Sequence, residues 1–301
     1  MKEELPKLKN ILYKFYRQKC YDELHKIIEN IEFPYAIIKG EALSHQIYRN
    51  PHKRISSDID ILVSRNDVQH LEKLLENNGF HTTATSRSDR ILMISHSHQV
   101  SPWCKLIEPW GVVNIDINFD IFWGEYKGKR TDIKHFLSNV YYVDIFGRKT
   151  KTLPLAQTLV QLILHHYKEM NSIYHLSTHN CINYNMFKDI YYLCKNNTEF
   201  FSKNKILELC TIYDISQYAY YIFYYTNQIF QDNYINEIVD VLKSHKGTEL
   251  LNRYGLDESE QKVWKVDFWT RYNSESLFEY IKSDLTPEDM TKLERSRRIF
   301  G

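Results

Sequence analysis

Glycine and proline are scarce, at 9 and 7 of 301 residues, so little of this chain is available for flexible linkers or disordered tails. Cysteine is rarer still, and its five copies are scattered as Cys20, Cys104, Cys181, Cys194 and Cys210. An odd number with no Cys-x-x-Cys spacing argues against a disulfide framework or a zinc ribbon and suits a reducing compartment. No apolar run approaches the span of a bilayer, and the opening Met-Lys-Glu-Glu-Leu-Pro has no apolar leader core. A cytoplasmic protein without a membrane partner is therefore expected. An excess of one charge is missing too, since 39 basic and 38 acidic side chains leave a net +1. That balance supplies no field for a long polyanion and argues against duplex nucleic acid as a partner. Nor is there a Gly-x-Ser-x-Gly, a P-loop or a dinucleotide fingerprint.

What is present reads as a globular chain of helices and strands. Hydrophobic residues make up 43% and charged residues 26%, both ordinary values. Leu8, Ile11, Leu12, Phe15, Leu24, Ile27 and Ile28 lie at helical spacing and predict a helical segment over 1–31. Tyr35–Ile38 is a short apolar run ending at Lys39-Gly40, as a buried strand would, and a short helix follows over 41–48. Ile59, Ile61 and Val63 alternate with Asp58, Asp60 and Leu62, the period of a strand. A helix through Val68, Leu71, Leu74 and Leu75 should stop at Asn78-Gly79. Strands are then expected over 80–85, 91–96, 103–108 and 112–122, with a hairpin at Phe146-Gly147. Beyond Pro154 the periodicity is helical over 155–167, 184–194, 205–230, 235–243 and 261–281. A last helix should open at Thr286-Pro287-Glu288-Asp289. The domain reading is a helical segment over 1–31, a mixed strand-and-helix domain over 32–150, and a helical domain over 151–301.

The chemistry is carried by carboxylates. Asp58 and Asp60 alternate with isoleucines on one strand, so both project to one face, where they repel unless a cation lies between them. Mg²⁺ is the natural partner, being an oxygen-seeking ion often held by one or two carboxylates and substrate phosphates. A third acid stands in Val113-Asn114-Ile115-Asp116-Ile117-Asn118-Phe119-Asp120, where Asp116, Asn118 and Asp120 share one face. Asp116 is the better candidate, because Asp120 falls toward the strand end.

An apolar strand ending in Gly40, a short helix, a basic turn of His52, Lys53 and Arg54, and then Asp58 form an ordered set. It resembles the DNA polymerase β-like nucleotidyltransferase superfamily, with Asp-x-Asp as its metal-binding signature. More narrowly, Ile-Ile-Lys-Gly-Glu-Ala-Leu with Arg-Ile-Ser-Ser-Asp-Ile-Asp-Ile-Leu-Val is similar to the poorly characterised bacterial nucleotidyltransferases of type 5. The resemblance is sharp over 36–63, moderate over 112–122 and loose in the helical half. Where that family's strand continues Asp-Leu-His-Trp, this chain has Asp116-Ile117-Asn118-Phe119. Glu41 also stands where the wider superfamily has Gly or Ser.

The resemblance implies an α+β fold, with a mixed-sheet polymerase β-like domain followed by an all-helical one. It implies an enzyme that moves a nucleoside monophosphate from a nucleoside triphosphate to an acceptor hydroxyl or phosphate, releasing pyrophosphate. ATP is the expected nucleotide. Asp58, Asp60 and Asp116 would be catalytic and would hold two Mg²⁺ ions, or Mn²⁺ in their place, with Asp116 taking the acceptor proton. Lys39, Gly40, Glu41, Ser44, Arg54 and Ser57 would contact the nucleotide, through backbone amides at Glu41 and side-chain charge at Lys39 and Arg54. The acceptor is unidentified, with a small molecule, a peptide or a protein favoured over a tRNA end. A binding module that keeps the fold without the activity, as antitoxins of toxin pairs do, is the other reading.

Three further clusters have plainer explanations. His165, His166, His175, His179 and Cys181 offer metal-ligand types, but the stretch over 172–185 reads as a loop and gives no second metal pair. His165 or His166 is read as facing the active site or as a satisfied core histidine. Tyr213, Tyr218, Tyr220, Tyr221, Phe223, Tyr224 and Tyr225 lie at helical spacing, as core aromatics do. Lys292, Arg295, Arg297 and Arg298 suit a solvated terminal helix.

Overall fold

The strand Tyr35–Ile38 (β1) is buried along its whole length and has a paired strand on either side. The computed structural model describes residues 4–83, 86–123, 130–178 and 182–300. The chain divides into two units, Met1–Asp120 with Thr131–Pro154, and Ile121–Arg130 with Leu155–Gly301.

Among the described residues of the first unit, β1 is joined by Ile59–Val63 (β2), His81–Thr82 (β3), Trp103–Ile107 (β4), Gly111–Asn118 (β5), Tyr141–Ile145 (β6) and Arg148–Thr152 (β7). They form one sheet in the order β3-β4-β5-β2-β1-β7-β6. The pairs β2–β5 and β1–β7 are parallel and the rest antiparallel, so the sheet is mixed. The α-helices with it, among the described residues, are Glu4–Ile28 (α1), Gly40–Tyr48 (α2), Val68–Asn77 (α3), Arg87–His96 (α4) and Ile133–Phe136 (α5). On α1 the buried stripe is Arg17, Cys20, Tyr21, Leu24 and Ile27, whereas Ile11, Leu12 and Phe15 are about half exposed.

The expected strand over 91–96 is instead the second half of α4. Ser86 caps that helix, accepting from the Asp89 amide at 3.1 Å and donating to the Asp89 carboxylate at 2.8 Å. Four consecutive apolar residues, Ile91 to Ile94, carry no period of their own. What decides the matter is the cap, together with the two-pronged bond from Arg90 to Glu72 on α3. The strand expected over 80–85 shrinks to β3, and Ala84 and Thr85 lie outside the described residues.

The second unit is built of Leu155–Asn171 (α6), Ile173–Leu176 (α7), Tyr184–Lys195 (α8), Lys203–Ile212 (α9), Ser216–Phe230 (α10), Asn233–Leu242 (α11) and His245–Leu250 (α12). A short ladder, Arg253–Tyr254 (β8) with Lys262–Val263 (β9), precedes Phe268–Tyr272 (α13), Phe278–Ile281 (α14) and Pro287–Phe300 (α15). The helix α10 is central and packs on α6, α8, α9, α11 and α12. Its Tyr218, Tyr220, Tyr221, Phe223 and Tyr225 are buried core as their spacing predicts, while Tyr224 and, outside this helix, Tyr213 are half-buried. The single helical stretch expected over 205–230 is two helices. Asp214 adopts a left-handed φ of 51°, and the Ile215 amide turns back to the Cys210 carbonyl at 2.8 Å. Likewise the helical stretch expected over 261–281 is β9 and two short helices. Thr286 and Asp289 do cap α15, with reciprocal bonds of 2.8 and 3.2 Å. Among the described residues no helix is long and apolar enough to cross a membrane.

Candidate active site

The parallel register of β2 with β5 sets Asp60 opposite Asp116, with Ile59 opposite Ile115 and Ile61 opposite Ile117. Partners in a parallel ladder send their side chains to the same face, so the two acids are neighbours and the isoleucines line the other side. Asp60 is only 5% exposed, while Asp116 is half-buried. Asp58, also half-buried, stands one residue before β2, where the Ser56 hydroxyl donates to its carboxylate at 3.3 Å and to its carbonyl at 3.1 Å.

Asp60 is held by two donors. Lys39 Nζ and Asn118 Nδ2 both donate to its Oδ1, at 3.0 and 3.2 Å. Asn118 thereby gives a use to the position at which the sequence departs from the type 5 pattern. Lys39 itself lies at φ 58° and ψ −152°, a conformation that side chains rarely adopt, and Gly40 follows at φ 44°. These two residues make the turn from β1 into α2. A Cβ at Gly40 would stand 3.3 Å from the Ser56 hydroxyl, so glycine is needed both for the turn and for the close approach.

Glu41 does not face outward. Its carboxylate and the guanidinium of Arg17 form a two-pronged pair, with both residues 1% exposed and Arg17 Nη2 at 2.8 Å from Oε2. The same Nη2 donates to the carbonyl of Asp58 at 2.9 Å. Burial alone would lower the hold of Arg17 on its proton, but the Glu41 carboxylate reverses this and raises it. One turn earlier, the Tyr13 hydroxyl accepts from the Ser56 amide at 2.7 Å and donates to the Ser56 carbonyl at 2.9 Å. Burial raises the Tyr13 phenol above its ordinary range, so it stays protonated and can do both. The helix α1 therefore braces the segment that delivers Asp58.

The remaining residues expected at the nucleotide are put to varied uses. Ser44 is fully buried, donates to the Asn50 carbonyl at 2.7 Å and accepts from the Arg54 amide at 3.1 Å. Its hydroxyl thereby fastens the basic turn to α2. Ser57 is exposed, and its neighbour Ser56 makes the contacts to Asp58. In the basic turn the His52 ring lies 4.8 Å from that of Phe146, and Lys53 sits over Tyr48 at 5.6 Å. Arg54 is half-buried. Asp120 is buried and accepts from the Thr131 amide at 3.4 Å.

Tyr13, Arg17 and Ser56 escape a reading of the sequence, and Asn118 is seen without its role. Arg17 does leave one signal, since it occupies a position in the otherwise apolar stripe of α1. As for a metal, the donors at the site are carboxylate oxygens, the ligand type that Mg²⁺ and Mn²⁺ prefer. A cation already rests against one of them, the Lys39 ammonium on Asp60. The residues present fit such an ion.

Compared with known proteins, the chain matches the family described as uncharacterised nucleotidyltransferase over residues 7–231. Among solved structures it is similar to ANT(2")-Ia in complex with adenylyl-2"-tobramycin, at 12% identity and a TM-score of 0.36, over 64% of this chain and 94% of that one. It is also similar to an antigenic nucleotidyltransferase-like protein from Paracoccidioides brasiliensis, at 16% identity and a TM-score of 0.28, over 64% of this chain and 89% of that one. No curated protein matches it.

Proposed function

The chain belongs to the family of uncharacterised nucleotidyltransferases, and from that premise we propose that it transfers a nucleoside monophosphate, AMP from ATP, to an acceptor hydroxyl or phosphate and releases pyrophosphate. The observation that carries this reading is the pairing of Asp60 with Asp116 on adjacent parallel strands, with Asp58 just before them. Asp58, Asp60 and Asp116 would hold Mg²⁺, or Mn²⁺ in its place. When bound, the metal neutralises triphosphate charge and polarises the α-phosphorus.

The protein's own groups do the rest. Asn118 and Lys39 fix the Asp60 carboxylate, and the ammonium of Lys39 adds positive charge on the phosphate side. Gly40 lets backbone approach the phosphates, and the first amides of α2 supply donors that carry no side chain with them. Arg54 meets the triphosphate, and Asp116 accepts the proton of the attacking hydroxyl. Selection of the acceptor is assigned to the helical unit, with a small molecule, peptide or protein as its class.

The competing idea of an inactive binding module drew on Glu41. That carboxylate is neutralised by Arg17, so it presents no charge to a triphosphate and gives the idea no support. The test is pyrophosphate release from ATP and Mg²⁺ with a panel of hydroxyl acceptors. Wild type should release it with at least one acceptor, and Asp116→Asn should be slower by about 10²- to 10⁴-fold, the usual worth of a general base. Equal rates for the two proteins would refute the role given to Asp116.

A further inference from the structure

The helical unit holds a cluster with chemistry unlike that of the carboxylate face. On α6, His165 and His166 are followed one turn later by Glu169, and one ligand atom from each of the three lies within 4.8 Å of the others. His165 Nε2 is 3.1 Å from one carboxylate oxygen of Glu169, and His166 Nδ1 is 3.9 Å from the other. The carboxylate is therefore shared between two imidazoles.

His166 supplies the second observation. It is 4% exposed, and among the described residues neither of its ring nitrogens has a hydrogen-bond partner. Buried polar atoms are normally satisfied, so an imidazole buried with two open nitrogens beside a carboxylate requires an explanation. A core histidine kept for packing alone would normally bond at least one nitrogen. The neighbouring His165, 5.4 Å away ring to ring, is already directed at the same carboxylate.

We propose that His165, His166 and Glu169 form a binding site for a transition-metal ion of the Zn²⁺ class. Neutral imidazole and carboxylate are the donors such ions take, and imidazole selects them over Mg²⁺. Tetrahedral Zn²⁺ with bonds of about 2.0–2.2 Å sets its ligand atoms ~3.4 Å apart. The observed separations bracket that value, so rotamer adjustment suffices to close the site. Three protein ligands leave one position for water or for a donor atom of a bound molecule. The sequence points to metal-ligand residue types in this region but to other partners. His179 and Cys181 lie outside the described residues, and His175 in α7 is not one of the three.

The test uses the full chain without a histidine tag, titrated with Co²⁺ in excess Mg²⁺ so that the oxygen-only site is occupied. Binding is followed by visible absorption and calorimetry. Wild type should take up one equivalent with the absorption of an imidazole-ligated ion, and Zn²⁺ should displace it. Glu169→Gln keeps the shape of a half-exposed side chain and should weaken binding at least tenfold. His165→Gln should do the same, and His166→Gln should abolish it, with circular dichroism confirming that each variant is folded. No uptake by wild type would overturn the proposal, leaving a histidine–glutamate ion pair only. Undiminished uptake by Glu169→Gln and His165→Gln would overturn it equally, even if His166→Gln failed to fold.

Discussion

Asp60 accepts two hydrogen bonds on a single oxygen, from a lysine and an asparagine that the sequence places 21 residues before it and 58 after it. These bonds fix the direction of its second oxygen, which on the proposed function is the one that meets the metal. Partners of this kind, which orient a ligand without touching the ion, are worth roughly 10- to 100-fold in affinity or activity. Asn118→Ala should therefore weaken Mg²⁺-dependent nucleotide binding by about that factor, with little change in far-ultraviolet circular dichroism. An unchanged affinity would detach Asn118 from the site. Arg17 and Glu41 test a different point. Removing one partner of a buried ion pair costs about 3–5 kcal/mol, because the other charge is left stranded, whereas replacing both by apolar residues is often close to neutral. Urea denaturation should show Arg17→Met far less stable than wild type and Arg17→Met/Glu41→Met recovering most of the loss. A single variant within about 1 kcal/mol of wild type would contradict the pairing.

At the scale of elements, the turn from β1 to α2 is the tightest constraint on the site. Gly40 has a left-handed φ and faces the Ser56 hydroxyl, so Gly40→Ala strains the backbone and crowds Ser56 at once. The left-handed conformation alone costs a non-glycine residue about 1–2 kcal/mol. Gly40→Ala should lose at least that much in urea denaturation and bind nucleotide more weakly; wild-type stability would show the turn to be relaxed. These strands were the most legible part of the chain. Isoleucines alternating with aspartates on β2 and β5 announce both the period and the polar face, and the structure adds the register that brings Asp60 to Asp116. The tertiary partners were not legible. Nothing near Glu41 indicates that its counter-charge is Arg17 on α1, and nothing near Ser56 indicates that Tyr13 will hold it, because both contacts depend on how α1 packs. The helix α4 is hidden from the apolar pattern for a related reason. A contiguous apolar run has no period, and its cap at Ser86 carries information that hydrophobic pattern does not. The break between α9 and α10 rests on Asp214, a residue that tolerates the left-handed conformation without announcing it as glycine would.

At the scale of the molecule, one unit carries the carboxylates and the other a bundle with an aromatic core. The first unit concentrates acids and bases on one face of a mixed sheet and uses α1 as a brace. In the second, the rings of α10 serve packing: Tyr225 donates to the Leu251 carbonyl at 2.7 Å and accepts from the buried Arg271 at 2.8 Å. On the terminal helix α15 the basic side chains Lys292, Arg295, Arg297 and Arg298 are exposed, with Lys292 paired to Glu260 and Glu288. The central claim therefore rests on the first unit, that its aspartates bind a nucleotide through a metal. Calorimetric titration of ATP into the whole chain, with and without Mg²⁺, tests this most directly, repeated with Asp58→Ala/Asp60→Ala. The account predicts saturable binding by wild type that requires Mg²⁺ and is lost in the double variant. Absence of binding by wild type, or binding that survives in the double variant, would contradict it.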